Sequence, residues 1–193
     1  MMFQPEVKLR FVETYCSPGQ GWKVFVDIDA SEEGRTGGIR TTGEAQERQQ
    51  RMLADGQRVR RALTKLGVTV GGDRAIWCRE HGVSVALGDR DIVAVHESQR
   101  LHVVAEVEGA SSGQPEQKLY KAIGQIVMAC GIEPPVGWTQ RLVLVVYGEK
   151  IAQHVRRASA LTKLGVSAVA ISENREADCW LLGEAPLVRP LAR

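Results

Sequence analysis

Residues 90–109 read RDIVAVHESQRLHVVAEVEG, and the fold turns on how they pair. Residues 91–96 and 101–108 are largely apolar runs joined by Glu97-Ser98-Gln99-Arg100, a connection too short for a crossover and suited to an antiparallel hairpin. In the second run, period-two geometry puts Leu101, Val103, Ala105 and Val107 on one face and His102, Val104, Glu106 and Glu108 on the other. Asp91 opens the first run, beside the end of the second where Glu106 and Glu108 emerge, so three carboxylates are expected to converge. Clustered anions repel unless a cation, protons or basic side chains compensate. A hard divalent ion, Mg²⁺ or Mn²⁺, would do so, with the backbone carbonyl of Val107 as a further oxygen. The plainer reading is that both glutamates line the wet face of an antiparallel sheet.

Downstream, PEQKLYKAIGQIVMAC (residues 115–130) places proline at the first turn and Gly131 just past the end, which predicts a helix. Its apolar stripe is Leu119, Ala122, Ile123, Ile126 and Val127. Lys118, Lys121 and Gln125 fall within a sector of about 60° on another side, at about 100° per residue. Lysines aimed at the carboxylates would balance their charge, orient a water or touch phosphate, whereas a solvated helix face is the bland alternative. Residues 141–147 (RLVLVVY) and 166–171 read as buried strands, with an amphipathic helix over about 149–164 between them and an edge strand at 179–182.

Upstream, Thr41-x-x-Glu44 is a capping-box pattern that starts a helix running to Leu66, with Gly67 as its stop. Residues 83–87 read as another short strand. Residues 7–16 and 22–30, around Ser17-Pro18-Gly19-Gln20-Gly21, read as a β-hairpin. The expected fold is an α/β (α+β) mixed sheet flanked by helices. Residues 1–40 form an N-terminal β-hairpin extension and residues 41–193 the core, compact as one domain.

The chain has 193 residues and a net charge of +2, which neither announces a nucleic-acid binder nor excludes one whose basic groups gather on one face. Cys16, Cys78, Cys130 and Cys179 match no zinc spacing, and His81, His96, His102 and His154 form no ligand pair, although His102 shares a strand face with Glu106. No Walker loop, GxGxxG or serine triad is present. No apolar run approaches the roughly 20 residues that cross a bilayer, and MMFQPEVKLR lacks a signal-peptide hydrophobic region, so no membrane association and a cytoplasmic location are expected.

The order helix, strand, Asp-bearing strand, Glu-x-Glu strand, helix, strand over about residues 44–147 resembles the PD-(D/E)XK nuclease superfamily and its restriction-endonuclease-like fold. Asp91 matches the motif aspartate, with Arg90 where the family often has proline. Glu106 matches the acidic residue of (D/E)XK, and Ala122-Ile123-Gly124-Gln125 looks like the helix signature that often follows. The usual lysine is Glu108; other members move the lysine to the following helix, where Lys118 or Lys121 would stand in.

The resemblance implies a Mg²⁺- or Mn²⁺-dependent deoxyribonuclease. Asp91 and Glu106 would hold the metal, with Val107 and Glu108 as further ligands. Glu108, alone or with Lys118 or Lys121, would orient the attacking water, and Gln125 would support substrate or water. Arg35, Arg40, Arg48, Arg51 and Arg58 are candidate DNA-backbone contacts. A homodimer is expected if both strands of a duplex are cut. The rival readings are a catalytically inactive nuclease-fold module binding nucleic acid or a protein, and a structural domain pairing through the hairpin edge.

Overall fold

The computed structural model describes residues 2–28, 43–87, 89–110, 115–173 and 177–180. Its centre is a seven-stranded mixed sheet. In chain order the strands are β1 (Lys23–Val26), β2 (Thr69–Val70), β3 (Ile92–His96), β4 (Leu101–Glu108), β5 (Thr139–Tyr147), β6 (Val166–Ile171) and β7 (Ala177–Trp180). They lie side by side as β2-β1-β3-β4-β5-β6-β7. The β1/β3, β3/β4 and β6/β7 pairs are antiparallel, and the β1/β2, β4/β5 and β5/β6 pairs are parallel. The expected β3–β4 hairpin is present, with Ile92 opposite Ala105 and His96 opposite Leu101, and Arg100 turns it at φ 49°.

The two faces of β4 separate two cores as the alternation predicts. Leu101, Val103, Ala105 and Val107 pack with Val7, Phe11 and Val12 of α1 (Gln4–Tyr15) and with Val59 and Leu63 of α2 (Gly43–Lys65). Val104 on the opposite face packs with Trp77 of α3 (Arg74–Glu80), with Leu119, Ala122 and Ile126 of α4 (Pro115–Ala129), and with Ala152 and Val155 of α5 (Glu149–Arg156). Leu161 of α6 (Ser159–Lys163) completes that core. The helix ending at Gly67 is borne out: Gly67 takes φ 86°, and the Val68 N–H returns to the Leu63 carbonyl at 3.0 Å. Its capping threonine lies outside the described residues.

Three expectations are corrected. Residues 7–16 are not a hairpin strand, because Gln4–Tyr15 is helical with Pro5 in the first turn. Val7, Leu9 and Phe11 satisfy a period of two, but Val7, Phe11, Val12 and Tyr15 satisfy 3.6 as well, and packing against the sheet decides for the helix. β1 lies inside the sheet, between β2 and β3, so this part of the chain is built into the core and offers no hairpin edge to a partner. Residues 83–87 form a loop and a 3₁₀ turn rather than a strand, since β1 already occupies the edge of β3 that such a strand would need. The helix expected over 149–164 breaks into α5 and α6. An unbroken stripe through Ala152 and Val155 would next bury Ser159, and the break brings Leu161 inward instead.

The edge strand β7 starts at Ala177, two residues earlier than expected, and residues 181–182 lie outside the described residues. Cys16, Cys78 and Cys130 are free thiols. No helix among the described residues is long and apolar enough to cross a membrane.

Candidate active site

Val26, Ile92 and Ala105 are opposite one another across β1, β3 and β4. One residue further along each strand come Asp27, Asp91 and Glu106, and the Asp27 N–H donates to the Asp91 carbonyl at 2.9 Å. Three acids therefore occupy a single row; alternation turns Glu106 away from the α1–α2 core, while the Asp91 carboxylate, at the end of its strand, reaches Lys8 and Gln4 of α1. Glu108 follows two residues beyond Glu106 on the same face.

These side chains line one cleft of about 500 Å³. Asp27, Asp91, Glu106 and Glu108 contribute to it, with Asp89 at the rim. Lys118, Lys121 and Gln125 enter from α4, and Arg74 from α3. The structure thus brings together Asp91, Glu106, Glu108, Lys118, Lys121 and Gln125, the set singled out from strand alternation and helical angle. Arg74 binds Asp27 at 3.2 Å on the β1 flank, while the α4 lysines stand on the β4 flank.

Asp91 is held from three directions. Its Oδ2 accepts the Val107 N–H at 2.7 Å, its Oδ1 pairs with the Lys8 ammonium at 2.8 Å, and the Gln4 amide lies 3.4 Å from both oxygens. Lys8 is fully buried and also donates to the Asp27 carbonyl at 2.6 Å. Glu106 is buried and accepts from Arg90 at 3.1 Å.

Burial pushes the Glu106 carboxyl well above the usual carboxylate range, and the Asp91 charge adds to the shift against the pull of Arg90. Burial likewise raises Glu108 to about 7, opposed first by Lys118 and reinforced by Asp91. Burial is thus the main reason both carboxyls hold their protons, with the resident cations working against it.

The remaining expected residues lie elsewhere. Val107 buries its side chain on the far face and lends Asp91 its N–H. Arg48 and Arg51 line a separate cavity at the start of α2. Arg58 is tied to Glu6 on α1, which raises its pKa. Arg35 and Arg40 lie outside the described residues. His102 is buried against Trp138 with ring centroids 4.6 Å apart and does not line the cleft; burial lowers its pKa.

Lys8, Gln4, Asp27 and Arg74 were not singled out from sequence. Gln4 and Lys8 are one helical turn apart, a signal hidden because residues 7–16, Lys8 among them, read as a strand that left Gln4 outside it. Asp27 becomes visible only once β1 is paired with β3.

Searches of family models, curated proteins and solved structures found no match for the chain. Among the described residues, no three His, Cys, Asp or Glu side chains form a ready-made metal site. The donor chemistry nevertheless fits a hard divalent cation. Carboxylate oxygens face an open, polar cleft, and burial holds two of those carboxyls above the usual carboxylate range, a cost that a bound cation would offset.

Proposed function

We propose that the chain is a Mg²⁺- or Mn²⁺-dependent nuclease hydrolysing DNA phosphodiester bonds, on a restriction-endonuclease-like variant of the mixed sheet. The observation that carries the reading is the convergence of Asp91, Glu106 and Glu108 with Lys118, Lys121 and Gln125 on one open cleft. The later part of the chain order on which the resemblance rests also supports it: the Asp strand, Glu-x-Glu strand, helix and strand occur as β3, β4, α4 and β5, whereas residues 83–87 form no strand and α2, β2 and α3 lie between β1 and β3.

Asp91 and Glu106 would hold the metal, with Glu108 and the Val107 carbonyl as further oxygens. A divalent ion would supply charge stabilisation at the phosphate and acidify water. Glu108, whose carboxyl titrates near neutrality, accepts a proton from the attacking water. Lys118 and Lys121 on one flank and Arg74 on the other counter the charge of the substrate phosphate, while Gln125 orients water or a phosphate oxygen.

The test is incubation of the purified chain with supercoiled, linear and single-stranded DNA in Mg²⁺, Mn²⁺ or EDTA. Asp91→Asn, which keeps an acceptor for the Val107 N–H, and Glu106→Ala should each abolish metal-dependent cleavage while the chain stays folded. Undiminished cleavage by both variants defeats the assignment.

A second reading, an inactive nuclease-fold module that binds nucleic acid or a protein, is favoured by one observation. Lys8 and Arg90 already pair with Asp91 and Glu106, so two acids are partly neutralised without metal. Calorimetric titration with Mg²⁺ and Mn²⁺ separates the two, since the module need not bind either ion.

A further inference from the structure

The acidic cleft does not end at its own walls. Gln4 and Lys118 line it and also line a narrow cavity of about 70 Å³ that includes Phe3 and Met52. Phe3 in turn lines a third cavity, of about 490 Å³, against the first turns of α2 where Arg48 and Arg51 project. The three cavities therefore adjoin, first at Gln4 and Lys118 and then at Phe3.

We infer that this succession of cavities is the path of a polynucleotide strand, with Arg48 as a phosphate anchor remote from the acids. The inference rests on the hydrolase or nucleic-acid-binding reading above and narrows its substrate to a polymer rather than a single nucleotide or small phosphodiester. Arg48 is prepared for an anion in two ways. Its guanidinium lies over the Phe3 ring at 5.5 Å, which fixes its plane. Its Nε is buried and has no hydrogen-bond partner among the described residues, a cost that a phosphate oxygen would relieve once the guanidinium turns toward the cavity.

Arg51 is tied to Glu47 by only a 3.6 Å contact between two largely exposed side chains, a pair worth little and readily exchanged for phosphate. Glu44 and Glu47 line the same cavity, so bulk positive field does not draw a strand there; placement of the Arg48 donors does. Lys118, common to the first two cavities, supplies the positive charge between the two ends.

The test compares two substrates on the full chain: bis(p-nitrophenyl) phosphate, which fills only the acidic cleft, and a single strand of about 16 nucleotides, long enough to reach α2. Arg48→Gln should raise KM for the strand roughly tenfold and far exceed its effect on the small ester, with Arg48→Lys intermediate. It should also lower the salt slope of strand binding by about one. Arg51→Gln, at the same end, should act in the same direction and guards against misfolding of the first variant. If Arg48→Gln and Arg51→Gln affect both substrates equally, or leave the strand unaffected, the path is overturned and the hydrolase reading stands. Strand binding with an Arg48-dependent salt slope but no cleavage supports the path and leaves the inactive module. Neither cleavage nor strand binding by the unaltered chain overturns both.

Discussion

Lys8→Met removes the ammonium that joins α1 to the acid row while keeping a side chain of similar length. Among the described residues, Asp91 Oδ1, 2.8 Å away, and the Asp27 carbonyl, 2.6 Å away, lose a donor. Breaking a buried ion pair by removing one partner costs about 3–5 kcal/mol, because the other charge stays behind in low dielectric. Asp91 keeps the Val107 N–H, lies near the Gln4 amide, and is 16% exposed, which places the expected loss near the lower end, about 3 kcal/mol. For a domain of this size that is roughly 6–12 °C in Tm.

Urea unfolding of Lys8→Met, Asp91→Asn and the double variant measures it. The double variant should cost less than the two single losses added, by at least about 1 kcal/mol, since neutralising Asp91 removes the stranded charge. A Lys8→Met loss under about 0.5 kcal/mol, or strict additivity, would refute the claim that this pair locks the acid row.

Two further outcomes follow from the same geometry. Glu106 and Glu108 have folded pKa values above their unfolded ones, so the folded chain binds protons that the unfolded chain has lost. In EDTA their contribution is fully present below the ordinary carboxylate pKa and is lost as pH rises through about 7 and beyond, with a slope of up to about 1.4 kcal/mol per pH unit per proton. Glu106→Gln should flatten that slope in urea midpoints measured across this range; an unchanged slope, or stability rising with pH in the parent chain, contradicts the charge balance drawn here. Gly109→Ala would drive a Cβ into the Gln4 nitrogen and to 2.7 Å from the Phe3 carbonyl carbon, so the start of α1 must move. A loss of about 1–3 kcal/mol in thermal unfolding is expected, and unchanged stability would show that α1 does not need this close approach.

What could be read from sequence was local. The β3–β4 hairpin was legible because a four-residue polar connection and strict alternation in β4 leave few other arrangements. The α4 side of the cleft was legible because Pro115 and Gly131 bracket a helix whose angular spacing puts Lys118, Lys121 and Gln125 together. α1 was misread because its apolar residues fit two periods, and because a fully buried lysine looks like an outward-facing strand residue until its distant partner is known. Asp27 has no local signal; its place in the acid row is a product of register between strands far apart in sequence. The site is thus half local pattern and half long-range pairing, and Lys8 and Arg74, the cations paired with Asp91 and Asp27, belong to the second half.

That division bears on which functional reading prevails. β1 and β4 run in one direction and β3 in the other, so the C-terminal ends of β1 and β4 and the start of β3 meet at one edge of the sheet, opposite the 97–100 turn. Among the described residues β4 departs from this edge into a crossover to parallel β5, an arrangement that places ligand crevices beyond strand C-termini. Lys8 and a divalent ion are alternative neutralisers of the acids gathered there. Each Asp91 oxygen has one close donor and retains acceptor capacity, so an ion can approach with Lys8 in place, but against its charge. In the hydrolase reading, removing the Lys8 charge therefore tightens Mg²⁺ binding while weakening the apo fold, and added Mg²⁺ restores more stability to Lys8→Met than to the parent chain. In the inactive-module reading no such recovery occurs. Thermal unfolding of the two proteins with Mg²⁺ and with EDTA decides between them, because a purely structural ion pair can produce the loss but not its metal-dependent reversal.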